Sequence, residues 1–147
     1  MGDDKTLLRA GIQQLNLSLT TNQEEQLKGF LQSVLNENNK FNLTGIKDPR
    51  EATIKHLFDS LSISKEINAT SIADIGSGAG FPGVPLAIVK PGTNFFLVEA
   101  KQKKAKFIKS ATKELGLLNV VVFGKRSEEI KIKKGVEAIV CRAIGSL

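Results

Sequence analysis

Three glycines at alternate positions, Gly76, Gly78 and Gly80, follow the short apolar run Ser71-Ile72-Ala73-Asp74-Ile75. Glycine accepts positive φ and lets a ligand approach the backbone without interference from a side chain. At the carboxyl end of a strand in an open α/β sheet, such a turn lies where ligands bind. Without a ligand it is only a tight strand-to-helix turn. Glu99 ends a second apolar run, Asn94-Phe95-Phe96-Leu97-Val98, nineteen residues after Gly80. An acid at that place accepts hydrogen bonds from two ribose hydroxyls, or else pairs with its neighbours Lys101, Lys103 and Lys104. Loop and acid together point to a small molecule that carries a nucleoside.

Two readings of the glycines compete. Gly78-x-Gly80-x-x-Gly83 fits the dinucleotide fingerprint, which would imply NAD. That frame needs its first glycine close behind the strand and a helix running freely after the loop. Here the strand already ends at Gly76, and Pro82 and Pro85 stand where the helix should run. The other frame, Asp74-x-Gly76-x-Gly78-x-Gly80, begins at the strand end and resembles the first motif of class I methyltransferases, which use S-adenosyl-L-methionine. It fits the prolines better. Glu99 suits either cofactor, since both contain a ribose.

These residues need elements to hold them. Thr21-x-x-Glu24 has the form of a capping box, ahead of Leu27, Phe30, Leu31, Val34 and Leu35 at helical spacing. Asp48-Pro49-Arg50-Glu51 is a second helix start, and Ile54, Leu57, Phe58 and Leu61 are its expected buried face. An earlier helix is expected around Leu7 to Leu15. From residue 70 the pattern alternates. Strand 71–75 leads through the glycines to a helix near Val84 to Val89, then to strand 94–98 and a helix from Lys101 to Leu115. Asn119-Val120-Val121-Val122-Phe123 reads as a strand covered on both faces, a short helix follows, and Glu137-Ala138-Ile139-Val140-Cys141 reads as a fourth strand. The expected fold is α/β, a doubly wound, Rossmann-like sheet, with residues 1–68 as an N-terminal helical extension and 69–147 as the cofactor-binding domain.

Composition sets the surroundings. The chain has 147 residues, 41% hydrophobic and 24% charged, enough for a folded core. No apolar run is long enough to span a membrane, no secretory signal opens the chain, and a single cysteine fits a reducing compartment; cytoplasm is the expected location. Charge is uneven: residues 1–100 carry nine Lys/Arg and eleven Asp/Glu, residues 101–147 twelve and four. A net of −2 beside a net of +8 suggests a polyanion partner for one face. Lys101, Lys103, Lys104, Lys106, Lys109, Lys113, Lys125, Arg126, Lys131, Lys133 and Lys134 would contact phosphates if they share that face. His56, the only histidine, is expected to pack against Asp59, Cys141 to lie buried in its strand, and Asp74 to organise the glycine loop through backbone hydrogen bonds.

The stretch Asp74-Ile75-Gly76-Ser77-Gly78-Ala79-Gly80-Phe81-Pro82-Gly83-Val84-Pro85-Leu86-Ala87-Ile88 resembles the signature of the bacterial GidB/RsmG methyltransferases. Asn42-Leu43-Thr44, Asp48-Pro49 and His56-x-x-Asp59-Ser60 are similar to that family's second signature; Glu99, Lys103-Lys104, Arg126-x-Glu128 and Arg142-Ala143 follow in the family's order. The resemblance implies N7-methylation of a guanine in 16S, small-subunit ribosomal RNA, with S-adenosyl-L-methionine as donor and the RNA or an assembling subunit as partner. It implies that Gly76, Gly78, Gly80, Phe81 and Glu99 bind the cofactor and that Ser127 and Glu128 contact its adenine. Arg126 and Arg142 would serve activity, Arg142 beside the cofactor as well. Members of the family continue past the fourth strand to a seven-stranded sheet. The sheet is therefore expected to be incomplete at its C-terminal side, with the fourth strand an exposed edge and the chain a monomer or weakly self-associating. These 147 residues alone are then not expected to be a full catalyst. The other readings are a methyltransferase for another substrate, an NAD-dependent oxidoreductase, or a non-catalytic RNA-binding module.

Overall fold

Helix caps and apolar spacing set the N-terminal helices. The computed structural model describes residues 2–130 and 135–141, so Lys131, Lys133, Lys134 and Arg142 lie outside the described residues. Helix α1 (Gly2–Gln14) precedes α2 (Thr21–Glu37). The capping box of α2 starts one residue earlier than expected: the Gln23 N–H donates to Thr20 Oγ1 at 3.1 Å, and the Thr20 N–H donates to Gln23 Oε1 at 2.8 Å. With Thr20 rather than Thr21 as the cap, Glu24 is released to pair with Arg9 at 3.3 Å.

Asp48 caps the next helix as expected, accepting from the Glu51 N–H at 2.9 Å, with Pro49 at its first position. This helix has three parts, α3 (Pro49–Ala52), a π-helical turn (Thr53–Phe58) and α4 (Asp59–Ser62). Of its expected buried face, Leu57 and Leu61 are buried and Phe58 packs against the core, whereas Ile54 points outward. Ile54 is 45% exposed, while Ala52, Thr53, His56, Leu57, Ser60 and Leu61 turn inward. Thr53 and Ser60 can be buried because their hydroxyls bond back to the carbonyls of Pro49 and His56.

Four parallel strands, β1 (Ser71–Ile75), β2 (Asn94–Val98), β3 (Val120–Phe123) and β4 (Ala138–Val140), pair in the order β3-β2-β1-β4. Helices α5 (Gly83–Val89) and α6 (Gln102–Glu114) make the crossovers β1–β2 and β2–β3. Because each strand alternates faces, Ile72, Phe95, Leu97, Val120 and Val122 point to one side of the sheet. They join Leu8, Leu27, Phe30, Val34, Leu86 and Ile108 in one core, so the N-terminal helices share their core with the sheet.

The opposite row, Val121, Phe96, Ala73 and Ile139, runs straight across all four strands. Val121 is 49% and Ile139 66% exposed. The expectation that β3 is covered on both faces is thus corrected: among the described residues β3 is an edge strand with one open face. Cys141 is exposed just beyond β4, not buried within it. The strand stops at Val140 and leaves this residue no covering layer among those described.

Side chains from afar close the ends of the crossover helices. Asn119 Nδ2 lies 3.1, 3.0 and 2.9 Å from the carbonyl oxygens of Ala87, Lys90 and Thr93. From α2, Gln23 Nε2 donates to the Ile88 carbonyl and Gln26 Nε2 to that of Leu115. Carbonyls left over at helix C-termini need such donors, and α2 supplies one to each of α5 and α6.

Candidate functional site

At the carboxyl end of β1 the chain turns through three glycines, all with positive φ: 71° at Gly76, 58° at Gly78 and 102° at Gly80. Two backbone bonds pin this loop to its neighbour strand, from the N–H groups of Gly76 and Ser77 to the Val98 carbonyl at 2.9 and 3.1 Å. Ser77 Oγ donates to the Asp74 carbonyl at 3.0 Å. The Asp74 carboxylate, fully buried, accepts from the Gly83 N–H at 2.9 Å and so fixes the first turn of α5 to the end of β1. The role expected of Asp74, organising the loop through the backbone, is what its contacts show. Helix α5 begins only at Gly83, with Gly78 to Pro82 in turns. That favours the frame starting at Asp74 over the dinucleotide frame, whose helix opens earlier.

Glu99 follows β2 and is only 7% exposed. Its Oε1 accepts from the Gly78 N–H at 2.9 Å and its Oε2 from the Lys101 N–H at 2.7 Å. The expected competitor for this carboxylate was a lysine side chain; the backbone holds it instead. Each oxygen has a second lone pair, so Glu99 can hold the glycine loop and still accept from two hydroxyls.

Between these parts lies a cleft of about 490 Å³, within the size range of small-molecule sites. One wall is the glycine loop with Phe81; Glu99, Lys101 and Lys104 form the next; Leu43 to Ile46 and His56 close the third. The Leu43–Ile46 part of this wall is neither helix nor strand. Asn38, at the C-cap of α2, anchors it by accepting from the N–H groups of Leu43 and Thr44, both at 2.9 Å. Thr44 Oγ1 lies 2.9 Å from His56 Nε2. The imidazole stacks flat on Phe81, with centroids 4.4 Å apart and planes 6° from parallel. His56 therefore packs against Phe81 and shares a hydrogen bond with Thr44.

Of the residues singled out in the sequence, Gly76, Gly78, Phe81 and Glu99 meet at this cleft. Gly80 lies beneath it, where a Cβ would press on Phe30 and Val84. Arg126, Ser127 and Glu128 are exposed on the segment after β3 and do not line the cleft. That segment leaves from the same sheet end, since the Glu99 N–H donates to the Phe123 carbonyl at 2.9 Å. Asn38, Ser77, Lys101 and Lys104 went unnoticed as site residues. A lone asparagine or serine has no periodic signature, and the two lysines read as part of a charge run. A larger groove of about 670 Å³ lies between α2 and α6, lined by Ser33, Asn36, Lys40, Lys103 and Phe107 among others. It lacks the exposed glycine backbone that distinguishes the smaller cleft.

The cleft sets open backbone at Gly78, where a Cβ would meet nothing nearer than the Gly76 carbonyl at 4.0 Å, beside the Glu99 carboxylate. A family model described as GidB, rRNA small subunit methyltransferase G, matches residues 23–147. The chain is 39% identical over 142 residues to the ribosomal RNA small subunit methyltransferase G of Nitrosospira multiformis, covering 97% of this chain and 66% of that protein. It is 38% identical over 136 residues to that of Actinobacillus pleuropneumoniae serotype 5b, with coverage of 92% and 66%, and 36% identical over 143 residues to that of Vibrio campbellii, with coverage of 97% and 68%. The chain thus spans 66% of the length of the first two relatives. With the family model matching most of its residues, the chain belongs to the GidB, rRNA small subunit methyltransferase G, family.

Proposed function

We propose that this chain holds S-adenosyl-L-methionine in the cleft beyond β1 and β2 and contributes to N7-methylation of a guanine in 16S ribosomal RNA. The observation that carries the reading is the clamp of Glu99 on Gly78, which places a carboxylate with free lone pairs against open glycine backbone. Glu99 would hold the ribose, and Gly76, Gly78 and Phe81 the rest of the cofactor beside the loop. Gly80 acts one layer down, keeping the loop seated on Phe30. Ser127 and Glu128 would contact the adenine, and Arg126 and Arg142 would serve activity. When bound, the cofactor supplies an electrophilic methyl group.

Guanine N7 has a lone pair and no proton, so the residues of the cleft need no general base; their work is orientation and exclusion of water. The base becomes cationic as it is methylated, so an arginine is useful on its O6 edge or on a flanking phosphate rather than at N7. The RNA side of the reading rests on α6. Lys106, Lys109 and Lys113 share one exposed stripe at helical spacing, continued by Lys103, and among the described residues none has an ion-pair partner. Lys101 and Lys104 carry that positive surface to the cleft. A cytoplasmic setting follows from the substrate. No helix among the described residues is long and apolar enough to cross a membrane.

The test supplies labelled S-adenosyl-L-methionine and small-subunit RNA, either free or in the subunit, and maps the methyl group by chemical cleavage at 7-methylguanine. Label at a guanine N7 supports the reading; label elsewhere contradicts it.

A further inference from the structure

The third wall of the cleft, Leu43 to Ile46, has no regular secondary structure, yet it faces the glycine loop across the cofactor space. Such a wall keeps its place only if something holds both its ends. At the α2 end Asn38 takes two of its N–H groups. On the cleft side the hold is Thr44. Its Oγ1 accepts from the Ile46 N–H at 3.3 Å and shares a hydrogen bond with His56 Nε2 at 2.9 Å. A threonine hydroxyl has one proton and two lone pairs, so both bonds fit on the one oxygen.

His56 is 5% exposed and has its ring flat on Phe81, the residue that follows the last glycine of the loop. Phe81 in turn packs against Phe30 of α2, with ring centroids 5.3 Å apart. Thr44, His56 and Phe81 all line the cleft.

We infer that His56 is a positioning residue: through Thr44 it sets the distance between the Leu43–Ile46 wall and the glycine loop, and so the width of the cofactor cleft. The inference rests on the proposed occupancy of that cleft by S-adenosyl-L-methionine. Ring stacking holds the imidazole to the loop, and the hydrogen bond holds the wall to the imidazole. Removing either link leaves the loop and its Glu99 clamp intact but frees the wall opposite. The ligand then has to order the wall when it binds, which weakens affinity.

The experiment measures the Kd of S-adenosylhomocysteine by calorimetry on the full chain, with the thermal midpoint of each variant. Thr44→Val keeps the shape and removes the hydroxyl. His56→Phe keeps the stack and removes the nitrogen. Each is expected to raise Kd about tenfold, the change that corresponds to losing one hydrogen bond of about 1.4 kcal/mol. The double variant should be no weaker than either single one, because both remove the same link. Thr44→Ser, which restores a hydroxyl, should recover most of the affinity lost in Thr44→Val.

Unchanged Kd in Thr44→Val with a lowered thermal midpoint would show that the bond serves stability only, and would overturn the inference. So would additive losses in the double variant, or a Thr44→Ser protein as weak as Thr44→Val. If His56→Phe fails to fold, the two Thr44 variants decide alone. A parent chain that binds neither S-adenosylhomocysteine nor S-adenosyl-L-methionine would refute the proposed function itself, an outcome distinct from the loss of coupling between Thr44 and His56.

Discussion

Gly78 and Gly83 stand five residues apart, and a side chain would fail at them for different reasons. At Gly83 a Cβ would come within 2.6 Å of Asp74 Oδ2 and 2.9 Å of Leu97 Cγ, both in the packed interior. Gly83→Ala should therefore destabilise the fold by about 1–3 kcal/mol, the usual cost of overpacking, read as a lower urea midpoint. At Gly78 the space is open and only the backbone objects, with φ at 58°. A residue there costs about 1–2 kcal/mol of left-handed strain and puts its side chain into the cleft. Gly78→Arg should fold and lose ligand. Glu99→Gln should be weaker still in its effect on the loop than on the ligand: one amide oxygen remains to serve Gly78, but the charge that favours the ribose hydroxyls is gone. Hydrogen bonds to charged groups contribute about 1.5–3 kcal/mol, so cofactor affinity should fall at least tenfold by calorimetry.

At the scale of elements, α6 and β4 make separate predictions. Replacing Lys103 and Lys106 by Ala should lower the slope of log K against log salt for a single-stranded ribosomal RNA fragment by about 1.4, at about 0.7 per lost phosphate contact. An unchanged slope would remove α6 from the RNA interface. Before β4, Glu137 accepts from Thr70 Oγ1 at 2.5 Å and from the Thr70 N–H at 3.1 Å. These bonds hold its carboxyl below the ordinary carboxylate range. A depressed pKa stabilises the fold above the unfolded value, and that contribution is lost as pH falls through the folded one. The urea midpoint of Glu137→Gln should lie slightly below that of the parent at neutral pH, with the gap closing in acid.

The elements were also where the sequence could be read most directly. The limits of β1 and β2 and the Asp48 cap follow from apolar runs and cap chemistry, and the structure repeats them. The buried face of the helix from Pro49 to Ser62 could be read that way only at Leu57 and Leu61, because Thr53 and Ser60 are buried through bonds to their own helix and Ile54 is exposed. For the same reason the loop and Glu99 were legible as site residues while the wall at Thr44 was not. Its position depends on Asn38 and His56, whose contacts span loops rather than a repeating pattern.

For the whole molecule, the two faces of the sheet differ. One is buried under α5, α6 and the N-terminal helices; the other presents Val121, Phe96 and Ile139 in a row. An exposed apolar row of this kind on a sheet face favours association with another chain. Sedimentation equilibrium should show weak, concentration-dependent association that Ile139→Lys reduces; a parent chain monomeric at all concentrations would contradict this. The cleft beside Glu99 lies at the carboxyl end of the strands, so the same substitution should leave the proposed cofactor affinity unchanged.

The role proposed for the Glu99-clamped glycine loop is to bind S-adenosyl-L-methionine. Calorimetric titration of the parent chain and Gly78→Arg with S-adenosyl-L-methionine, S-adenosylhomocysteine and NAD tests it most directly. The first two should bind in the micromolar range, with binding lost in the variant, and NAD should not bind. Binding of NAD in their place, or equal binding by parent and variant, would contradict it.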